Sequence, residues 1–126
     1  MSLSLALPYP PSLNTYWRHV GARVLISANG RAYRRAVAEA VMLARYRNEI
    51  PRTPITATVA VRIEAQMPDQ RARDLDNLPK AILDSLTKAG LWVDDSQIDE
   101  LTVIRIGLAR AGAVRVLVSE LQRVAA

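Results

Sequence analysis

Thirteen residues, 55–67, read ITATVAVRIEAQM and alternate in character from end to end. Ile55, Ala57, Val59, Val61, Ile63, Ala65 and Met67 fall on one side, with Thr56, Thr58, Arg62, Glu64 and Gln66 on the other. Successive side chains of a strand point to opposite faces, so this pattern predicts a long strand with one buried and one wetted face. Whatever else the chain does, it must supply a sheet around that strand and a layer over its apolar side.

The flanking segments offer both. LSLAL at 3–7 predicts a short strand, and PYPPSLNTYWRH, with three prolines and Asn14, predicts a loop. From Ser27 onward, Tyr33, Ala36, Val37, Ala40, Val41 and Ala44 recur at helical spacing, giving an amphipathic helix that ends before Pro51. A second helix is expected from about Leu75 to Ala89. Leu78, Ile82 and Leu86 face its core side, Pro79 is tolerated only in its first turn, and Gly90 stands where a C-terminal cap belongs. Residues 98–108 and 113–121 read as strands joined as a hairpin around ARAG. The order β-α-β-α-β-β gives an α+β fold, with a mixed sheet packed against two helices in a single domain over residues 1–126.

Half the residues are hydrophobic, yet Phe is absent, so the core must be built from Ala, Val, Ile and Leu. The absence of Cys excludes disulfides, thiolate metal sites and a cysteine nucleophile, and the single His19 excludes a multi-histidine metal site. The N-terminus lacks the basic and apolar regions of a signal peptide, and no stretch has the length of a membrane span. A cytoplasmic protein with no membrane partner is expected.

The net charge of +5 is unevenly spread: residues 69–100 hold eight acids against four bases, whereas residues 1–68 hold nine Arg and three acids. Fifteen of the seventeen cations are Arg, whose planar fork grips phosphate in bidentate fashion. A basic shell around an acidic patch suits a polyanion held against metal, and scattered solubilising charge remains the plainer account.

The acidic patch begins with RDLDNLPK at 73–80. One reading is a helix start, with Asp as N-cap and Asp76 with Lys80 as an i,i+4 pair. The other is a site for a hard cation. Asp74 in an extended approach points the same way as Asp76, and Lys80 follows one turn into the helix. The connection after Gly90 brings Asp94 or Asp95 back to this pair if the next strand runs beside the one ending at Met67. Three carboxylates and water would suit Mg²⁺ and phosphodiester hydrolysis, with Lys80 stabilising developing charge or orienting water.

The run MPDQRARDLDNLPKAILDSLTKAGLWVDDSQI, with PPSLNTYWRH upstream, closely resembles the RusA family of Holliday-junction resolvases, a likeness that spans most of the chain. The resemblance implies a small homodimeric endonuclease of bacteria and their prophages, dependent on Mg²⁺ with Mn²⁺ as a substitute. It would nick four-way junction DNA symmetrically on two strands of like polarity, in recombination and repair. It implies that the catalytic, metal-binding carboxylates are Asp74, Asp76 and Asp95, that the essential lysine is Lys80, and that Arg73 and Asn77 are flanking motif positions.

Arg71, Arg73 and Arg18 are candidates for DNA contact alongside Asn77, with His19 and Arg23 as possible channel residues; Arg71 and Arg73 have the alternative of balancing Asp69 or Asp74. Tyr16 and Trp17 either stack on unpaired bases or fill space under a loop, and Trp92 is expected in the core. Arg34, Arg35 and Arg45 touch DNA arms or keep a helix face wet, while Glu64 and Asp84 are candidates to support the metal-binding acids, with nothing in the sequence to prefer that role. Two other classes compete: a metal-dependent nuclease for flaps or forks, and a junction-binding protein without catalysis. A PD…(D/E)xK site fails because Leu78 stands two before Lys80, and phosphate-binding glycine loops are absent.

Overall fold

The alternating segment is the second strand from one edge of a four-stranded sheet. In the computed structural model, which describes residues 1–122, β4 (Val59–Met67) buries Val59, Val61, Ile63, Ala65 and Met67 and leaves Arg62 exposed. The strand starts later than its pattern, because Ile55 makes only an isolated bridge to Trp92. The cause is local. The Gln97 side-chain amide donates to the carbonyls of Ile55 and Ala57 at 2.8 and 2.9 Å, occupying acceptors that a ladder would use.

The sheet order is β1-β6-β4-β5, with β1 (Ser2–Leu7), β5 (Ile98–Leu108) and β6 (Ala113–Glu120). β6 runs antiparallel to both β1 and β4, while β5 runs parallel to β4, so the sheet is mixed as expected. The expected hairpin of β5 with β6 does not form: these strands flank β4 on opposite sides. Crossing one intervening strand spans about 10 Å, which four residues manage easily. Within that turn the Ala109 amide donates to the Met67 carbonyl at 2.9 Å, and Ala111 and Gly112 take left-handed φ values of 67° and 71°.

Two helices cover one face. Ser27 caps α2 (Ala28–Tyr46) by accepting from the Gly30 amide at 2.9 Å, and Tyr33, Val37, Val41 and Ala44 point inward. Pro79 opens α3 (Pro79–Lys88), where its missing N–H costs nothing, and Gly90 at φ 78° closes it. Ala81, Ile82 and Leu86 join Ile63, Val116 and Leu5 in the main core, with Trp92 as its largest fully buried side chain. The result is two layers. The opposite sheet face presents Ala6, Arg62 and Arg115 to solvent.

Residues 8–19, expected as a loop, contain a one-turn helix α1 (Leu13–Tyr16) and the start of a two-stranded ribbon, β2 (Trp17–Val20) with β3 (Arg23–Ile26). Gly21 turns the ribbon at φ 60°. Tyr16 is fully buried, with its hydroxyl donating to Asp84 and accepting from Arg34 Nε at 2.9 Å. Of the two readings of Tyr16, filling space under a loop is the one that holds, since it has no free ring face for a base; Arg34 is tied into a junction of α1, α2 and α3. Arg45 is likewise structural, donating to the carbonyls of Pro51 and Gly90 at 2.9 and 2.6 Å.

Candidate active site

The segment after β4 is organised by its apolar residues. Leu78 is buried and packs with Ala65 and Met67, and Leu75 lies against the same cluster. With these two leucines turned inward, the residues between and beyond them turn outward: Asp74, Asp76, Asn77 and Lys80 are all exposed. Asp74 has extended backbone at φ −81°, ψ 129°, residues 75–77 form one turn of 3-10 helix, and α3 follows.

Upstream, Asp69 accepts from the Arg71 amide at 3.0 Å and pairs with the Arg73 guanidinium at 2.9 Å. That hydrogen bond from Arg73, with the one from the Arg71 backbone, holds the Asp69 carboxyl below the usual carboxylate range. The Arg105 guanidinium donates to the Arg73 carbonyl, which fixes the loop against β5. Arg71 keeps its guanidinium exposed, and Arg18 stands exposed on β2.

The acids divide into used and unused. Asp74 occupies the N-cap position of the 3-10 turn yet its side chain makes no capping hydrogen bond, and among the described residues neither it nor Asp76 enters an ion pair; Asp76 and Lys80 are not within salt-bridge distance. The helix-start reading therefore leaves both carboxylates unexplained. The neighbouring DD pair splits the same way. Asp94 caps a second 3-10 turn, Asp95–Gln97, accepting from the Ser96 amide at 3.2 Å in a reciprocal capping box, and its pKa is lowered first by the Ser96 side chain and then by the Ser96 amide. The Asp95 side chain is exposed and, among the described residues, makes no hydrogen bond or ion pair.

One geometric expectation is overturned. β5 does run beside β4, but in parallel, with Ile98 opposite Val59, so the residues preceding it lie at the start of β4 rather than at its Met67 end. Asp74 and Asp76 precede α3, whereas Asp94 and Asp95 follow it, and ten helical residues rise about 15 Å. Carboxylate oxygens that share one Mg²⁺ lie within about 4 Å of each other. Among the described residues, no group of three or more His, Cys, Asp or Glu side chains converges on one point. A single copy thus leaves Asp74, Asp76 and Lys80 exposed on one short segment at the start of α3, with Asp95 beyond the far end of the helix.

Sequence reasoning missed the surroundings of Asp74. A cavity of about 300 Å³ opens between it and the proline-rich segment, lined by Tyr9, Pro10, Pro11, Arg73 and Asn77. The PYPP run signalled only rigidity, and nothing in the sequence linked it to a motif more than sixty residues later. The remaining expectations resolve as plain packing: Trp92 is core, Glu64 pairs with Arg62 at 3.2 Å, and Asp84 serves the Tyr16–Arg34 junction.

Known proteins resemble this chain over most of its length. The family model described as endodeoxyribonuclease RusA matches residues 8–119. A protein of Escherichia coli (strain K12) named crossover junction endodeoxyribonuclease RusA is 42% identical over 118 residues, covering 94% of each chain. Proteins of the same name from Shigella sonnei (strain Ss046) and Enterobacteria phage 82 are 42% and 41% identical, over 94% and 93% of each chain. No helix among the described residues is long and apolar enough to cross a membrane. With a match that spans β1's end to β6 and includes every residue of the acidic segment, the chain belongs to the RusA family of endodeoxyribonucleases.

Proposed function

We propose that this protein is a divalent-metal-dependent endodeoxyribonuclease that resolves four-way DNA junctions by paired symmetric nicks, working as a homodimer in recombination and repair. The observation that carries the reading is the division of the acids: Asp69 and Asp94 are spent on structure, while the carboxylates of Asp74, Asp76 and Asp95 have no hydrogen bond or ion pair among the described residues. Uncommitted carboxylates in a basic protein are a suitable donor set for a hard cation. Asp74, Asp76 and Asp95 would hold Mg²⁺, or Mn²⁺ in its place. The chemistry that such an ion supplies is activation of water and neutralisation of charge on the scissile phosphate.

The residues of the chain account for the rest. Lys80, one turn beyond Asp76, offers an ammonium to the phosphate oxygen on which charge develops. Hydrolysis adds the water oxygen to phosphorus and breaks the bond to the leaving sugar oxygen, giving ends that a ligase can rejoin. Arg71 and Arg18 would hold neighbouring phosphates, and Asn77 and Arg73 the nucleotides beside the cut.

The distance along α3 supports a two-copy site. Asp95 joins Asp74 and Asp76 if it comes from a second subunit, and β5 offers the means. It is an edge strand of eleven residues with Leu101, Ile106 and Leu108 exposed, and among the described residues no strand pairs with its outer side. Long apolar edges of this kind are normally covered. Antiparallel pairing of β5 with its copy across a two-fold axis exchanges ends, carrying the partner's Ile98 end toward this subunit's Met67 end. Two acidic sites per dimer match a substrate cut twice.

The test is cleavage of a synthetic four-way junction beside linear duplex and flap substrates, in Mg²⁺ and in EDTA, with the native protein and Asp76→Asn. Junction-selective paired nicks, lost in EDTA and in the variant while binding persists, are expected. Tight junction binding with no cut would overturn the catalytic reading, and preferential flap cleavage would move the protein to another nuclease class.

A further inference from the structure

The cavity beside Asp74 has more structure than a nuclease needs for gripping phosphate. Its walls come from two distant segments: Tyr9, Pro10 and Pro11 on one side, Arg73, Asp74 and Asn77 on the other. At about 300 Å³ it lies at the small end of ligand-binding cavities, where it would take one planar group rather than a stretch of backbone.

Its parts are held in place. A Cβ built on Gly112 would stand 2.7 to 2.8 Å from the Tyr9 ring, so the ring rests directly on the backbone of the β5–β6 turn. Arg73 is fixed twice, by the Asp69 carboxylate at 2.9 Å and by Arg105 at its carbonyl. Despite this anchoring, the Arg73 Nε atom is buried with no hydrogen-bond partner. A buried donor left unpaired is uncommon and costly, and it is the rest of the Arg73 side chain, 29% exposed, that an incoming group can reach. Asn77, exposed on the same wall, adds an amide with both donor and acceptor.

We propose that this cavity receives a single unstacked nucleobase from the strand being cut, next to the scissile phosphate; the inference rests on the nuclease reading above. The Tyr9 ring supplies a face for stacking, the two prolines a rigid apolar wall, and the Asn77 amide with the accessible part of the Arg73 guanidinium the polar groups that tell bases apart. A phosphate would gain nothing from the ring and the prolines. Branch points are where bases unstack at least cost, so the pocket also ties cutting to junctions.

The experiment compares cleavage of junctions carrying each of the four bases, or an abasic residue, at each position flanking the cut. The native protein should cut the best base at one position at least tenfold faster than the abasic residue. In Tyr9→Leu, which keeps an apolar filler but no stacking face, that spread should collapse to within about twofold. Tyr9→Phe should retain it, because the Tyr9 hydroxyl makes no hydrogen bond among the described residues, whereas Tyr33 and Tyr16 use theirs. Junction affinity in metal-free buffer and the melting temperature of each variant separate loss of the pocket from loss of the fold. A native protein that cuts every base and the abasic junction equally, or a Tyr9→Leu protein that folds and keeps the full spread, would refute the pocket while leaving the nuclease reading intact. Failure of the native protein to cut any junction would refute the nuclease reading itself. A 2-aminopurine probe at the selected position gives a readout without catalysis: its fluorescence should respond to binding by the native protein and much less to Tyr9→Leu.

Discussion

Mixing two inactive proteins, Asp76→Asn and Asp95→Asn, should restore cutting. In α3, ten residues rising about 15 Å stand between the segment that carries Asp76 and the one that carries Asp95. If each site takes Asp74 and Asp76 from one subunit and Asp95 from its partner, then every site in either homodimer lacks one carboxylate. A mixed dimer differs. One of its sites collects both substitutions, and the other collects none. Random reassortment of equal amounts makes about half the dimers mixed, and each has one intact site of two, so the mixture should regain about one quarter of the native site concentration. The product should change as well, because a lone working site gives single nicks. A supercoiled plasmid extruding a cruciform reads both quantities at once: paired nicks give linear DNA and single nicks give open circles. The two variants would be unfolded together and refolded, with mixed dimers counted by native mass spectrometry. Open circles accumulating at about a quarter of the native rate, with almost no linear product, is the expected result. A mixture as inactive as its parents, despite proven mixed dimers that bind junctions, would refute the two-copy site.

Three further outcomes follow from the local geometry. Asp94→Ala removes the cap of the 95–97 turn and should lower the melting temperature by a few degrees while leaving cleavage near the native rate, the reverse of Asp95→Asn. The Asp69 carboxyl has a lowered pKa through its hydrogen bond from Arg73, so its contribution to stability is present above the ordinary value of about 3.9 and is lost as pH falls through the folded value. Acid titration of Asp69→Asn should therefore show a shallower loss of stability below about pH 4 than the native protein. Gly112→Ala forces a side chain into a left-handed backbone at φ 71° and against Tyr9; denaturant unfolding should show a loss of about 1–2 kcal/mol from the backbone alone, with more if the ring cannot move.

What the sequence made legible was whatever packed against the core. The alternation at 55–67 announced β4, and the four-residue spacing of Leu78, Ile82 and Leu86 announced α3, because burial imposes a period on residues that touch the interior. The ribbon of β2 and β3 escaped notice for the converse reason: Arg18, His19, Val20, Arg23 and Val24 are all exposed, so no buried face constrains their order. The pairing of β5 and β6 was misjudged because a four-residue connection serves adjacent strands and strands one apart equally well. Parallel register is likewise silent in sequence, and it decides where Asp95 lies. For the site itself, the two leucines flanking Asp76 were a usable clue, since they fix which side chains face out. The PYPP segment offered none, as its meaning depends on a contact with a turn about a hundred residues away.

The length of α3 also sets how the protein responds to dose. On the proposed two-copy site, a lone subunit carries two-thirds of a metal site and is chemically silent, so activity at low abundance rises with the square of concentration. A DNA-cutting protein built this way is harmless when scarce and switches on over a narrow range of expression, with no inhibitor or modification required. Ten residues of helix, by keeping one aspartate out of reach of the other two, would act as a counting device for the cell.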